Sequence, residues 1–261
     1  MFRLLHLILI TVFISCDFTS DFQRSILTAE NYIREGKQTQ AIIVYENLLK
    51  DKPSTNIKVR IHFQLGLLYQ IYSNDFKSSL KHFKLALKES PTILWQVKTI
   101  EKLGTLTYEY MKDFTLAEKY YSYLINFQPS LENYHLYHRF YAKSLFHQSK
   151  FELADEHFQK IIREGYSKDS LAEAFYHKGL MNYEQKKWKE AINFWNESLK
   201  YETLKQSVVK IKFLMANAYE SNEDLKEAYN LYYSLLNDFP DTQIIKNRLQ
   251  NLYNRRVARK R

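Results

Sequence analysis

Two histidines and two basic residues near the middle of the sequence are side chains that could take part in chemistry. His135 and His138 are three residues apart, so a helix places both on one face, as in the first half of a metal site. No acidic residue or third histidine accompanies them at sequence level, and we expect no metal and no cofactor. Arg139 and Lys143 are four residues apart and would present two cations to a carboxylate. These residue types favour binding over catalysis.

The rest of the sequence contains no recognisable catalytic constellation. It has no glycine-rich phosphate loop, no His-Glu-x-x-His and no nucleophile elbow. The run Asp155, Glu156 and His157 is typical of the solvated outer face of a helix. An enzyme carried on a repeat scaffold would need catalytic residues outside the repeats described below, and almost nothing lies outside them. We therefore predict that the protein is not an enzyme.

The one cysteine, Cys16, lies at the end of an apolar leader. It can form no intramolecular disulfide and no thiolate metal site. Arg3 and the amino terminus precede an apolar segment over 4–14, which is too short for an ordinary membrane span and fits the core of an export signal. An alternative interpretation is an uncleaved amphipathic leader with a buried cysteine.

The four residues that end this leader resemble a lipobox, the site at which bacterial lipoproteins are cleaved and lipidated on cysteine. They read Phe13-Ile14-Ser15-Cys16, with phenylalanine where leucine is commoner. The resemblance implies a signal peptide over 1–15, lipid on Cys16 and a short tether over 16–20. A lipid chain there would anchor the protein in a membrane.

A helical pattern of one small residue followed four positions later by an aromatic recurs six times after this leader. The small residues, 37 or 38 positions apart, are Ala41, Ser79, Ala117, Ala154, Ala191 and Ala228. The aromatics are Tyr45, Phe83, Tyr121, Phe158, Trp195 and Tyr232. Offsets of three and four residues share one helix face, so the small residue admits a neighbouring helix and the aromatic fills the next space. A period this regular predicts an α-helical solenoid.

The prolines and a second set of small residues divide each copy into two helices. Pro53, Pro91, Pro129 and Pro240 each follow a small residue of the first set by 12 positions, where proline ends a helix. The second set lies 12 or 13 positions before the first set, and its members are Gly66, Gly104, Ala142, Gly179 and Ala216. In the fourth copy Gly165 replaces the proline as the expected helix end. The pattern of each copy thus predicts two antiparallel helices that touch where the small residues of the two sets lie.

Two copies carry the residues of the tetratricopeptide repeat (TPR). In the second copy these residues are Leu65, Gly66, Tyr69, Phe76, Ser79, Phe83, Ala86 and Pro91. In the sixth copy they are Ala216, Tyr219, Ala228, Tyr232 and Pro240. The resemblance covers about residues 22–240 and implies an all-α, TPR-like superhelical solenoid that binds proteins. The repeats are longer than the usual 34 residues. In this they resemble bacterial envelope lipoproteins such as the TPR component of the β-barrel assembly machinery and the periplasmic partner of the Tol–Pal system.

We predict six repeats over 21–243 and a C-terminal capping helix with a basic tail over 244–261, with no domain boundary after residue 22. The expected buried face of the capping helix comprises Ile244, Ile245, Leu249, Leu252 and Tyr253. The tail carries five cations, which are Arg255, Arg256, Arg259, Lys260 and Arg261. They could attract anionic lipid or an acidic partner, or form a solvated helix end whose charges suit the helix dipole.

The first helix of each copy would line a concave groove, because TPR folds bind ligands there. The inward candidates are Phe63, Leu67, Gln70, Glu101, Tyr108, Arg139, Lys143, Phe146, Tyr176, Phe213 and Asn217. Aromatic rings around Arg139 and Lys143 would hold an extended or helical peptide that bears a carboxylate. The opposing interpretation is that these side chains pack within the fold.

Together these features predict a lipid-anchored, non-catalytic scaffold that binds other proteins or peptides in the bacterial cell envelope, facing the periplasm. Assembly of outer-membrane proteins is one context that the resemblance implies. The alternative is a cytoplasmic or inner-membrane TPR adaptor whose leader stays uncut and whose basic tail touches lipid or nucleic acid. No nucleic-acid partner is expected for the exported form.

Overall fold

The computed structural model describes residues 21–258, and over this range the chain is all-α. The helices are α1 (Asp21–Arg34), α2 (Gln38–Lys50), α3 (Thr55–Ile71), α4 (Phe76–Glu89), α5 (Ile93–Thr105), α6 (Phe114–Ile125), α7 (Tyr134–His147), α8 (Phe151–Glu164), α9 (Lys168–Glu184), α10 (Trp188–Tyr201), α11 (Lys205–Ser221), α12 (Leu225–Ser234) and α13 (Thr242–Ala258). Of these helices, none has the length and apolar character needed to cross a membrane. The signal peptide, Cys16, the tether, Arg259, Lys260 and Arg261 lie outside the described residues.

Each predicted repeat is a pair of helices in contact, from α1–α2 to α11–α12. The six small residues of the second helices are all fully buried, and the six aromatics that follow them are at most 3% exposed. The glycines of the first helices allow the second helices to approach closely. A Cβ atom at Gly66 would lie 2.6 Å from Cε1 of Phe83. The predicted contact register is therefore correct.

The turn inside each repeat contains one residue in the left-handed conformation, five positions before the buried small residue. These residues are Gly36, Asn74, Lys112, Ser149, Lys186 and Glu223, with φ between 50° and 73°. The next backbone N–H then bonds a carbonyl five residues back, as in Lys150 to Leu145, and this closes the first helix. In the second and third repeats the bond reaches six residues back, as in Asp75 to Tyr69. The extra residue of the 38-residue intervals thus lies in this turn.

Contacts between Cα atoms divide the chain into two compact units. The first unit ends at Pro91 and contains the first two repeats, whereas the second begins at Thr92 and contains the other four repeats and α13. The second unit opens with an irregularity, since α5 continues into a π-helical turn over Leu106–Tyr110.

The helix ends and the capping helix agree with the predictions in part. Gly165 ends α8 at φ 63°, as expected of a left-handed C-cap. Ile245 and Leu252 of α13 are fully buried against the last repeat, so the capping prediction holds for them. Ile244 and Tyr253 are 42% and 58% exposed, and their assignment to the buried face was wrong because they lie beside that face rather than on it.

Candidate functional site

A cavity of about 480 Å³ opens in the second unit between the first helices of its last three repeats. α7 contributes Arg139, α9 contributes Glu173 and Tyr176, and α11 contributes Lys210. The other lining residues are Asp169, Ala172, Glu202, Thr203, Leu204, Ser207 and Ile211. The helices expose these side chains because their small residues are turned toward the second helices of their own repeats. Two of the predicted groove residues, Arg139 and Tyr176, therefore line one cavity.

The carboxylate of Glu173 is the electrostatic centre of this site. It lies 3.1 Å from Nε of Arg139, and it accepts a hydrogen bond from Nζ of Lys143. Nε2 of His177 lies 4.0 Å from the same carboxylate. Burial lowers the pKa of His177 well below its ordinary value, and the charge of Lys143 lowers it further, so the imidazole is neutral. The two predicted carboxylate-binding cations are thus already bound to a carboxylate of the chain.

The lining of the cavity carries charges of both signs together with apolar side chains. Nζ of Lys210 lies 5.1 Å from the ring centroid of Tyr176, within cation–π distance. Glu202 accepts hydrogen bonds from the backbone N–H groups of Thr203 and Leu204, at 2.9 and 2.8 Å. Of the described residues that line the cavity, none is a histidine or a cysteine. The lining suits noncovalent binding of a polypeptide with mixed charge.

Several other predicted groove residues belong to the packing between helices, and their assignment to the groove is corrected. Tyr108 is 8% exposed and meets the ring of Phe140 edge-on at 5.3 Å. Phe146 is half-buried and packs edge-on against His177 at 5.1 Å. Glu101 accepts a hydrogen bond from the hydroxyl of Tyr137. These contacts join α5 and the turn that follows it to α7, and α7 to α9, so the side chains pack between the first helices of successive repeats.

The last repeat places its two predicted groove residues in different surroundings. Phe213 stacks on Phe239 at 4.6 Å and lines a second cavity of about 750 Å³ beside α11. Asn217 instead accepts a hydrogen bond from the hydroxyl of Tyr232, which links α11 to α12. Lys210 lines both cavities, so the two openings are neighbours on α11.

The candidates of the first unit do not form a groove with one another. Phe63 is 2% exposed and packs edge-on against Phe83 at 5.5 Å. Gln70 is 6% exposed, and its Oε1 has no hydrogen-bond partner among the described residues. Leu67 is half-buried. The aromatic and amide side chains predicted to contact a peptide here are core residues, because their helix packs closely on α4.

The histidines of the fourth repeat form a pair that the sequence did not indicate. Nδ1 of His138 lies 2.7 Å from Nδ1 of His157, a residue that we had expected on the solvated face. His135 stacks on Tyr166 at 5.1 Å instead of joining His138. Within the described range no three histidine, cysteine, aspartate or glutamate side chains are close enough together to hold a metal ion.

The described part of the basic tail is tied to the last repeat. Arg255 donates hydrogen bonds to Glu220 at 3.1 Å and to Glu223 at 2.7 Å. The guanidinium of Arg256 lies 5.8 Å from the ring centroid of Tyr229. These two cations fasten α13 to α11 and α12.

The sequence interpretation missed Glu173 and Lys210, although a signal for them exists. Each lies six positions before the small residue of its first helix, three positions before the predicted candidates Tyr176 and Phe213. Extending the inward face by one helical turn would have included both residues. The contribution of Glu202 and Leu204, which lie between two repeats, has no such periodic signal.

Comparison of the sequence with protein-family models and with curated proteins finds no match. Comparison of the fold with solved structures does find similar proteins. PilW, described as a widely conserved type IV pilus biogenesis factor, aligns with a TM-score of 0.60 at 16% identity and covers 90% of this chain and 99% of its own. The apo form of RapI aligns with a TM-score of 0.67 at 18% identity, over 90% of this chain and 74% of its own.

A third similar structure carries the repeat family in its description. YrrB, a TPR protein with an unusual peptide-binding site, aligns with a TM-score of 0.54 at 17% identity and covers 70% of this chain and 87% of its own. At sequence identities this low, the structural alignments establish similarity of fold alone. Together with the helix pairs and buried small residues, they show that the chain has the all-α tetratricopeptide-repeat fold.

Proposed function

We propose that the protein is a non-catalytic interaction scaffold that binds an extended segment of another protein in the cavity between α7, α9 and α11. The observation that supports this proposal is the lining of that cavity, which combines Lys210 with Asp169 and Glu202 and also includes the ring of Tyr176 and the apolar side chains of Ala172, Leu204 and Ile211. A peptide in extended form can satisfy alternating polar and apolar contacts of this kind. The description of YrrB as a TPR protein with a peptide-binding site supports the same mode of binding.

We further propose that the scaffold is a lipoprotein of the bacterial cell envelope, held to a membrane by lipid on Cys16 and facing the periplasm. The lipobox-like residues before Cys16 support the anchor. The description of PilW as a type IV pilus biogenesis factor supports a role in assembling a structure of the cell envelope. Assembly of outer-membrane proteins is the related context indicated by the long repeats.

Selection from a random peptide library against the full chain in detergent tests the cavity. Ser207→Trp would fill the opening from α11, and Ser221→Trp places the same ring at the exposed end of that helix. Selected peptides should bind the wild type and Ser221→Trp equally and lose about tenfold or more in affinity for Ser207→Trp. Equal binding to both variants, or selection of no common peptide motif, would exclude the cavity.

Labelling of growing cells with radioactive palmitate tests the anchor separately. The wild type should carry label, and Cys16→Ser should carry none. An unlabelled wild type would favour the adaptor with an uncleaved leader, and it would leave the result for the peptide cavity unaffected.

A further inference from the structure

One face of α4 carries four lysine side chains in a straight row. Lys77, Lys81, Lys84 and Lys88 are separated by four, three and four positions, and all four side chains are exposed. Positions with this spacing lie above one another on a helix, so the ammonium groups follow the helix axis for about 16 Å. We call these four residues the lysine row.

The charge of the lysine row is largely uncompensated within the described part of the chain. None of its four ammonium groups forms an ion pair or hydrogen bond with a residue of 21–258. At the two ends of α4, Asp75 accepts a hydrogen bond from the backbone N–H of Ser78 at 3.0 Å and interacts with the charge of Lys77, whereas Glu89 lies 2.8 Å from Nζ of Lys58. Like charges on successive turns repel one another, so the row has an unfavourable interaction that an external anion would relieve.

Another second helix shows the usual alternative. On α10, Lys189 is followed directly by Glu190, and Nζ of Lys200 lies 2.5 Å from Glu197. Charges of both signs share that outer face, which is what solubility requires. The lysine row therefore carries more charge of one sign than an exposed helix face needs for solubility.

The chemistry of the row and its surroundings fits the surface of an anionic bilayer. Lysine is a flexible point charge that responds to surface potential without a fixed geometry. Ile71 and Tyr72, at the turn before α4, are 57% and 49% exposed, and a tyrosine ring suits a membrane interface because one end is apolar and the other polar. Nucleic acid fits less well, because no aromatic residue of α4 is exposed between the lysines for bases to stack on.

We propose that the lysine row of α4, with Ile71 and Tyr72 at its N-terminal end, docks the first unit on a bilayer that contains anionic phospholipid. The attraction arises from charge and does not require lipid on Cys16. It would hold the first two repeats against the membrane surface.

Sedimentation of the full chain with two kinds of vesicle tests this proposal. One kind contains phosphatidylcholine alone, and the other contains phosphatidylglycerol mixed with phosphatidylcholine. The measured quantity is the ratio of the two partition coefficients, which cancels any contribution of the apolar leader. The wild type should favour the anionic vesicles by about tenfold or more, and added salt should reduce the preference.

Two variants of equal net charge separate the row from the overall charge of the protein. Lys81→Glu with Lys84→Glu interrupts the row, whereas Lys189→Glu with Lys226→Glu reverses two exposed lysines of α10 and α12. The first variant should lose about tenfold in preference, and the second should stay within about twofold of the wild type. Equal losses in both variants would show that only net charge matters and would overturn the proposal.

Two soluble polyanions test whether the lysine row binds an acidic macromolecule instead of a bilayer. Polyglutamate and single-stranded DNA are added to the same proteins, and binding is measured by fluorescence anisotropy. If interrupting the row abolishes binding to either polyanion but leaves the vesicle preference intact, the row serves an acidic macromolecule and the bilayer proposal fails. Circular dichroism melting of the variants should match the wild type, because all the replaced side chains are exposed.

Discussion

Nδ1 of His138 lies 2.7 Å from Nδ1 of His157, and the same arrangement occurs in the second repeat, where Nδ1 of His62 lies 3.0 Å from Nδ1 of His82. In both repeats the first histidine is four positions before the small residue of its helix, and the second is three positions after the small residue of its own. One ring of each pair must donate its Nδ1–H and the other must accept. Two doubly protonated rings cannot form this bond.

The histidine pairs predict a loss of stability in mild acid. Burial is the main cause that lowers the pKa of His138 to about 3 and of His82 to about 4, and in each pair the partner histidine adds to the effect. Burial also lowers the pKa of His157; Glu156 opposes this effect and the charge of Lys160 adds to it. An unfolded histidine titrates near pH 6.5, so the unfolded chain gains protons below that pH that the folded chain rejects. The contribution of the histidine pairs to the free energy of unfolding is therefore fully present above about pH 6.5. It decreases as the pH falls toward the pKa values of the histidines in the folded protein.

Replacing one pair by apolar side chains should make the protein less sensitive to acid. Each neutral buried histidine costs about 1.4 kcal/mol between pH 7.5 and pH 5.5. The variant His138→Leu with His157→Leu should therefore lose about 1.4 kcal/mol less than the wild type over this range if one ring of the pair stays neutral, and about 2.8 kcal/mol less if both do, as measured by urea denaturation at both pH values. His135→Leu, outside the pair, is the control. An identical acid loss in the paired variant and the wild type would contradict the assignment.

The glycines of the first helices predict an ordered series of packing defects. A Cβ atom at Gly179 would overlap the indole of Trp195, one at Gly66 would lie 2.6 Å from Phe83, and one at Gly104 would lie 2.9 Å from Tyr121. Alanine should therefore destabilise by about 1–3 kcal/mol, most at Gly179 and least at Gly104, despite its higher helix propensity. Thermal unfolding of the three variants gives the order. A stabilising Gly179→Ala would show that the helices separate without cost.

The small residue of the fourth repeat predicts a strong difference between neighbouring positions. Ala154 is fully buried in a cluster with Ala142 and Phe158, whereas Leu153 is 48% exposed. Ala154→Asp should cost at least about 3 kcal/mol of unfolding free energy, because a charge would enter a dry helix contact. Leu153→Asp should cost less than about 1 kcal/mol. Similar melting temperatures for the two variants would mean that the contact register is wrong.

The contact between Lys143 and Glu173, a residue of the cavity lining, predicts measurable coupling between the two side chains. Their side chains are 15% and 28% exposed, so the interaction is partly shielded from water. A double-mutant cycle of Lys143→Gln and Glu173→Gln should give a coupling free energy of about 1 kcal/mol in urea denaturation. Additive effects of the two substitutions would show that the pair contributes nothing. Because Glu173 binds both cations, reversing the charges of Arg139 and Lys143 should also weaken the fold.

The repeat architecture could be predicted from the sequence because its signals are local and recur. The intervals between Ala117, Ala154 and Ala191, with an aromatic four positions after each, fix which face of a helix must be buried. The turn geometry is less visible, since Asn74, Lys112 and Lys186 occupy the same left-handed position with unrelated side chains. The backbone hydrogen bonds of the helix end, rather than any residue type, set that conformation.

The period of 37 or 38 residues between small and aromatic side chains is enough to specify stacked helix pairs, because apolar residues that recur on one helix face become buried. The ion pairs of Glu173 with Arg139 and Lys143, and the contact of His157 with His138, became visible only once the helices were packed together. The physical reason is that these contacts depend on how far each helix rotates about its axis when its neighbours pack, and side-chain volumes on several helices fix that rotation together.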